Sequence, residues 1–157
     1  MVLEGVVSSK QDRIILVVGN HNTKYGEYLK TKFASHPNIK FTGGIYNLND
    51  LNSLRYHCNL YFHGHTVGGT NPSLLEAMAS QALIAAHGNE FNKGLLEENA
   101  FFFTSAQQVS DLLLSVKKSD NLHKIRNNYQ AIVNTYNWEK INGEYLRLFE
   151  EVLAVAK

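Results

Sequence analysis

The stretch His63–Ser80, HGHTVGGTNPSLLEAMAS, constrains the fold more than any other part of the chain. It reads as the end of a buried strand, a glycine loop and the start of a helix. The apolar run Leu60, Tyr61, Phe62 leads into it, and a second apolar strand, Ala82–Ala86, follows. Gly68 and Gly69 lack a Cβ, so the backbone there is free to take positive φ and to let a ligand approach closely. Asn71 is a good N-cap residue. Pro72 suits the first helical position, where its missing N–H costs nothing. The helix then runs Ser73–Ser80. Its unpaired N–H groups and the positive end of its dipole point back at the glycines, a geometry that holds an anion, most often a phosphate.

Glu76 stands out within that helix. Its neighbours are Leu74, Leu75, Ala77, Met78 and Ala79, and a helix apolar nearly all round is expected to be buried. A carboxylate there needs a partner, because an unpaired buried charge is costly. Ligand hydroxyls at the helix mouth would serve. Alternatively, Glu76 lies on the one wet face or pairs with a basic residue elsewhere.

The rest of the chain repeats the same alternation. Met1 to Ser9 reads as the end of an amphipathic helix that begins in mid-pattern. Arg13–Val18 (RIILVV) is a β-branched run, hence a strand buried on both faces. Tyr25–Ser35 is predicted helical, with Tyr28, Leu29 and Phe33 inward and Pro37 as its stop. Ile39–Phe41 is a short strand before Gly43 and Gly44. Asn47 or Asn49 opens a helix over Asn49–His57, and Cys58–His63 is the next strand. Glu90–Glu97 is a short helix and Ala100–Phe103 a last strand, with Phe101–Phe103 in the core. Three helices close the chain: Ala106–Lys117, Asn121–Tyr136 and Trp138–Ala156, with Trp138 as a packing anchor. This spacing predicts parallel strands joined by right-handed crossovers, a doubly wound α/β sheet with helices on both faces. Such sheets bind ligands at the carboxyl ends of their strands. The loops there are Gly19–Asn22, Thr42–Asn47, Gly64–Asn71 and His87–Asn92, and they form the predicted site.

Composition removes several alternatives. At 157 residues the chain is one domain with room for a real core. A net charge of +1 with no Lys/Arg run argues against a nucleic-acid partner. The single Cys58 fits a reducing compartment and reads as a packed thiol. No run of 18 apolar residues is present to span a membrane. His63 and His65 lie two apart at a strand end and so face one side if the strand continues. His87 ends the next strand and reads as facing the same cleft. No carboxylate or third His follows at a metal-site spacing, so no metal is expected. The three histidines read as phosphate or sugar contacts, or as satisfied loop residues. The glycine loop matches neither the dinucleotide fingerprint nor a Walker loop.

The stretch GTNPSLLEAMAS, with the strand ALIAA after it, resembles the nucleotide-sugar site of retaining glycosyltransferases with two Rossmann-like domains, the GT-B fold, in the large family-4 group. FTGGIY at Phe41–Tyr46, RYHCNLYFHGH and the closing YNWEKINGEYLRLFEEVL fit the same order. The HGHTVGGTNPSLLEAM variant is similar to bacterial polysaccharide-building transferases, including rhamnosyltransferases. The resemblance implies that Glu76, the second glutamate of the family's E-x7-E pattern, holds the donor's ribose hydroxyls. The backbone from Gly69 through Thr70 to Ser73, behind Gly68, would lie along the donor phosphates and sugar. Asn71 and Ser73 would be its N–H donors. Gly44, Ile45 and Tyr46 would meet the base, with the Ile45 backbone closest. His65 would face the sugar or phosphate side, and Gly19 and Asn20 would complete the cleft.

Two departures accompany the resemblance. The first glutamate of the pattern falls at Gly68. The family's opening strand and basic pyrophosphate loop have no counterpart here, so the chain is expected to be a fragment of a longer two-domain enzyme. Alone it should bind donor weakly and transfer little. The implied donor is a nucleotide-diphosphate sugar, with no cofactor. The implied acceptor is a glycan or lipid-linked sugar of capsule or O-antigen type, met through the other domain. The implied setting is cytoplasmic, with the intact protein at the inner face of the membrane. An exposed sheet edge would favour a homodimer. Rival readings are a sugar-nucleotide epimerase and a non-catalytic nucleotide-binding module.

Overall fold

In a computed structural model of the chain, residues 1–67 and 69–155 are described. The elements alternate as the spacing predicts. They are α1 (Val2–Ser9), β1 (Ile15–Val18), α2 (Lys24–Lys32), β2 (Ile39–Gly43), α3 (Leu48–His57), β3 (Tyr61–His63), α4 (Pro72–Ala79) and β4 (Ile84–His87). After them come α5 (Glu90–Leu96), β5 (Phe101–Phe103), α6 (Ala106–Ser115), a 3-10 turn (Lys118–Asn121), α7 (Leu122–Asn134) and α8 (Trp138–Val155). The final residue of the expected last helix, Ala156, lies outside the described residues.

The strands are parallel and flanked by helices, but they form two ladders where one continuous sheet was expected. β1 pairs with β2, and β3–β4–β5 form the second ladder. The side-chain layers explain why the halves still make one domain. On one face, Ile15 and Val17 of β1, Phe62 of β3, Ala85 of β4 and Phe103 of β5 share a core with Val6 of α1 and Val109 of α6. On the other face the core holds Tyr61, Ile84, Ala86 and Phe102 with Leu74 and Met78 of α4, and it contains no β1 residue. Leu16 and Val18 are consequently 43% and 39% exposed, so the expected burial of this strand on both faces holds on one face only. β4 is the central strand, and Ala82 to Ala86 have no exposed surface.

Caps set the helix starts. Asn47 Oδ1 accepts the Asn49 and Asp50 N–H groups, Thr23 Oγ1 accepts that of Gly26, and Ser105 Oγ that of Gln108. Two packing expectations are corrected. Tyr28 is exposed and stacks on Tyr25, because α2 ends at Lys32 and turns only Phe33 and Leu29 toward the core. Trp138 is 78% exposed and belongs to no core cluster among the described residues, and Tyr145, Phe149 and Val152 are exposed along the same helix.

α1 lies directly on α6. A Cβ on Gly5 would fall 2.5 Å from Ala106 O and 2.6 Å from Val109 Cβ. Lys32 donates to Glu4 Oε1 at 2.6 Å and ties α2 to the same helix. Gly5→Ala should therefore destabilise the protein by about 1–3 kcal/mol despite the better helix propensity of alanine. Urea unfolding of the variant against the parent checks this.

Candidate functional site

Within each ladder the strands deliver their carboxyl ends side by side, β1 with β2 and β3 with β4, and the predicted loops follow those ends. At the end of β1, Gly19 has φ 148° and its N–H bonds Gly43 O at 2.9 Å, joining it to the end of β2. Asn20 Oδ1 accepts the Asn22 N–H at 2.9 Å, closing the turn. In the β2–α3 loop the left-handed glycine is Gly43, at φ 78°. At Gly44 a Cβ would meet the Tyr46 ring at 2.7 Å, so a larger residue there would push that exposed ring aside. Tyr46 folds over this backbone and is 87% exposed, leaving the backbone around Ile45 beside an open aromatic face.

α4 begins as expected, with Asn71 as N-cap and Pro72 at N1. Asn71 Oδ1 accepts both the Ser73 N–H (3.0 Å) and the Ser73 hydroxyl (2.7 Å). The amide of Ser73, expected to face the donor, is thus satisfied within the cap. For the backbone amides of Gly69, Thr70 and Asn71 no hydrogen-bond partner is found among the described residues. A Cβ on Gly69 would meet nothing within 4 Å, so the space in front of this backbone is open. Gly68 lies outside the described residues. The helix ends where Gln81 takes φ 55°, letting the Ala82 N–H reach Ala77 O at 3.0 Å.

Glu76 is half-exposed in the groove between α3 and α4, and its partner is Arg55. The guanidinium Nη2 donates to Glu76 Oε2 at 2.7 Å, and Arg55 is only 6% exposed. The alternative that Glu76 pairs with a basic residue is thus realised, while Oε1 has no bonding partner among the described residues. Sequence reasoning flagged the need for a partner but not its identity, because no local spacing connects residues on two different helices.

The histidines separate. His63 and His65 stack face to face with ring centroids 4.6 Å apart, both on the α4 side. His63 is buried, so it underlies the site, and the exposed His65 ring covers it. Burial first, and then the neighbouring His65, hold the His63 pKa down at about 4. The expectation that His87 shares this cleft fails. The pleat turns it to the opposite face, edge-on to Phe103 with centroids 6.2 Å apart. What the loop after β4 supplies is a clamp that was not singled out in the sequence. Asn89 Nδ2 and Asn92 Nδ2 both donate to His65 O, at 3.0 and 3.3 Å, and Asn92 also donates to His87 O at 2.9 Å. The run of asparagines in this loop was the available signal. No group of three His, Cys, Asp or Glu side chains converges among the described residues.

Ahead of the α4 N-terminus stand three backbone amides without partners among the described residues, with a carboxylate one turn further in, and Tyr46 is exposed in the β2–α3 loop. No protein-family profile matches the chain, and no curated protein does. Solved structures do. The crystal structure of Anabaena Alr3699/HepE in complex with UDP and glucose is matched at TM-score 0.74 and 15% identity. That of the same protein in complex with UDP-glucose is matched at TM-score 0.75 and 18% identity. Each match covers 96% of this chain and 44% of the other, so the chain spans under half the length of those proteins. At this identity the likeness establishes the fold: a Rossmann-like α/β unit corresponding to part of that larger protein.

Neutral His63 gives the site a measurable pH signature. An unfolded histidine titrates near 6.5, so between about pH 6.5 and 4 the unfolded chain binds the extra proton and the folded one does not. This stabilisation is complete above pH 6.5 and is lost as pH falls through that window, by up to about 3 kcal/mol. Urea unfolding from pH 7.5 to 4.5 should show the decline, and His63→Phe should flatten it.

Proposed function

We propose that the chain is the donor-binding half of a glycosyltransferase and holds a nucleotide-diphosphate sugar at the carboxyl edge of its strands. The observation that carries this reading is the α4 N-terminus, with the Glu76 carboxylate four residues beyond Pro72. Four residues are about 6 Å along a helix axis, a span suited to a diphosphate at one end and a ribose at the other. The shared fold with a protein whose crystal structures hold UDP, glucose and UDP-glucose supports the same assignment.

Each group then has a task. The amides of Gly69, Thr70 and Asn71, with the helix dipole behind them, receive the diphosphate. As the bond to the sugar breaks, negative charge grows on the departing nucleoside diphosphate. Fixed dipoles aimed at that charge lower the barrier to the extent that they bind it better than the ground state. Glu76 accepts ribose hydroxyls, the backbone at Ile45 with the Tyr46 ring flanks the base, and exposed His65 faces the sugar. The resemblance to family-4 transferases supports retaining transfer of a hexosyl or rhamnosyl group to a glycan or lipid-linked acceptor. A cytoplasmic setting agrees with the free Cys58 thiol, and among the described residues no helix is long and apolar enough to cross a membrane. Ligand-observed NMR with UDP, UDP-glucose and other nucleotide sugars tests the reading. Weak, selective binding is expected, reduced about tenfold by Glu76→Gln through loss of charge-assisted hydrogen bonds. Absence of binding by every nucleotide at millimolar concentration would sink it.

We further propose that this half belongs to a longer two-domain protein, with one strand seated between β1 and β3. The β1 amides of Ile15 and Gly19 bond toward β2, and the Tyr61 amide toward β4. By the alternation of a ladder, the amides of Leu16, Val18 and Phe62 point the other way, into the split. α1 bridges the two halves through the shared core. Its first turn stands at the carboxyl end of β3, where a Cβ on Gly64 would lie 4.0 Å from Val2 Cγ2. It then runs back to the amino end of β1, as the helix of a right-handed crossover does. A strand ending ahead of Met1 would complete that crossover and occupy the split in a single chain, in preference to a homodimer. Fusing a short β-branched strand and loop before Met1 should slow amide exchange at Leu16, Val18 and Phe62 by at least tenfold, as the loss of edge exposure requires. Unchanged exchange in the folded fusion, or protection in the parent that rises with protein concentration, contradicts the single-chain arrangement.

A further inference from the structure

The groove between α3 and α4, about 520 Å³ and lined by Leu48, Asn49, Asn52, Glu76 and Ser80, is crossed by a polar network at its floor. Arg55 is at its centre. Nη2 donates to Glu76 Oε2 at 2.7 Å, and Nη1 donates to Asn52 Oδ1 at 3.1 Å. The Ser80 hydroxyl lies 2.7 Å from Glu76 O and 3.0 Å from Asn52 Oδ1, so its single hydrogen goes to the closer Glu76 O or is shared between the two. Arg55 Nε is buried without a partner among the described residues. A guanidinium 6% exposed carries a large desolvation cost, and one surface carboxylate is a poor return for it if the pair only ties two helices together.

The geometry gives that cost a function. A free glutamate side chain samples several rotamers, and a ligand must freeze them on binding. Arg55 Nη2 holds Oε2 in one place, and Oε1, on a residue that lines the open groove, has no partner among the described residues. We propose that Arg55 is a positioning residue that presets the Glu76 carboxylate for a vicinal diol, the 2′ and 3′ hydroxyls of the donor ribose. This rests on the donor-binding reading above. Arg55 does not touch the ligand. It acts through Glu76, and Asn52 sets the angle of the guanidinium.

The readout is ribose discrimination by the full 157-residue chain. Binding of UDP, 2′-deoxy-UDP and 3′-deoxy-UDP is measured by NMR titration for the parent, Glu76→Gln, Arg55→Met and Arg55→Lys. Thermal unfolding of each variant is recorded alongside. The parent should prefer UDP over either deoxy form by about tenfold, the value of one charge-assisted hydrogen bond. Arg55→Met should lose most of that preference and match Glu76→Gln. Arg55→Lys, which keeps the charge but not the fork, should fall between them. A merely structural Arg55 would lower the melting temperature and leave the preference at the parent's value, which would overturn the proposal. If Arg55→Met does not fold, Arg55→Lys decides: an unchanged preference overturns the proposal. A parent that binds UDP without ribose preference overturns the Glu76–ribose contact and the Arg55 role with it, but leaves nucleotide binding intact. A parent that binds no UDP overturns the donor-binding reading itself.

Discussion

The sealing of β4 between two helical layers is the constraint on which the rest of the structure depends. Ile84, Ala85 and Ala86 have no exposed surface, and the pleat sends them to alternate sides. Ile84 and Ala86 meet Leu74 and Met78 of α4, and Ala85 meets the α1–α6 layer. A parallel strand is held this way because both faces must be covered before its ladder is free of water. Once β4 is fixed, the ends of β3 and β5 and the start of α4 are fixed with it. The glycine loop then has little freedom in where it opens.

The two ladders behave differently because only one layer crosses the split. The α1–α6 face joins all five strands, so β1 and β2 are anchored by Ile15, Val17, Ile39 and Phe41. The α4 face stops at β3, and Leu16 and Val18 stay wet. Buried apolar area contributes roughly 25 cal/mol per Å², so a strand buried on one face carries about half the packing of one buried on both. β1 and β2 are for that reason the less firmly held part of the fold, and they carry the Gly19 and Ile45 loops that the proposed site uses as one wall.

Electrostatically the site is modest. The α4 N-terminus contributes its dipole, the Arg55 guanidinium is paired with Glu76, and the buried His63 is neutral. On the proposed donor-binding reading, such a site suits a ligand that brings its own negative charge and a diol, and it does little to attract one from a distance.

The sequence by itself determined the order of elements, their parallel sense and the edge at which the loops meet. Those follow from local rules: a largely β-branched run at Ile15–Val18, an apolar run at Ala82–Ala86, and side-chain caps at Asn47 and Asn71. It also marked Glu76 as a residue in need of a partner. Only the tertiary structure decided that the partner is Arg55, 21 residues away on another helix. It also decided that Asn71 takes the Ser73 amide for itself, that His87 turns from His65, and that Asn89 and Asn92 hold the His65 carbonyl. Local spacing fixes which face of its own element a residue occupies. What stands opposite that face is set by how helices and strands pack, and no periodicity within one element encodes it.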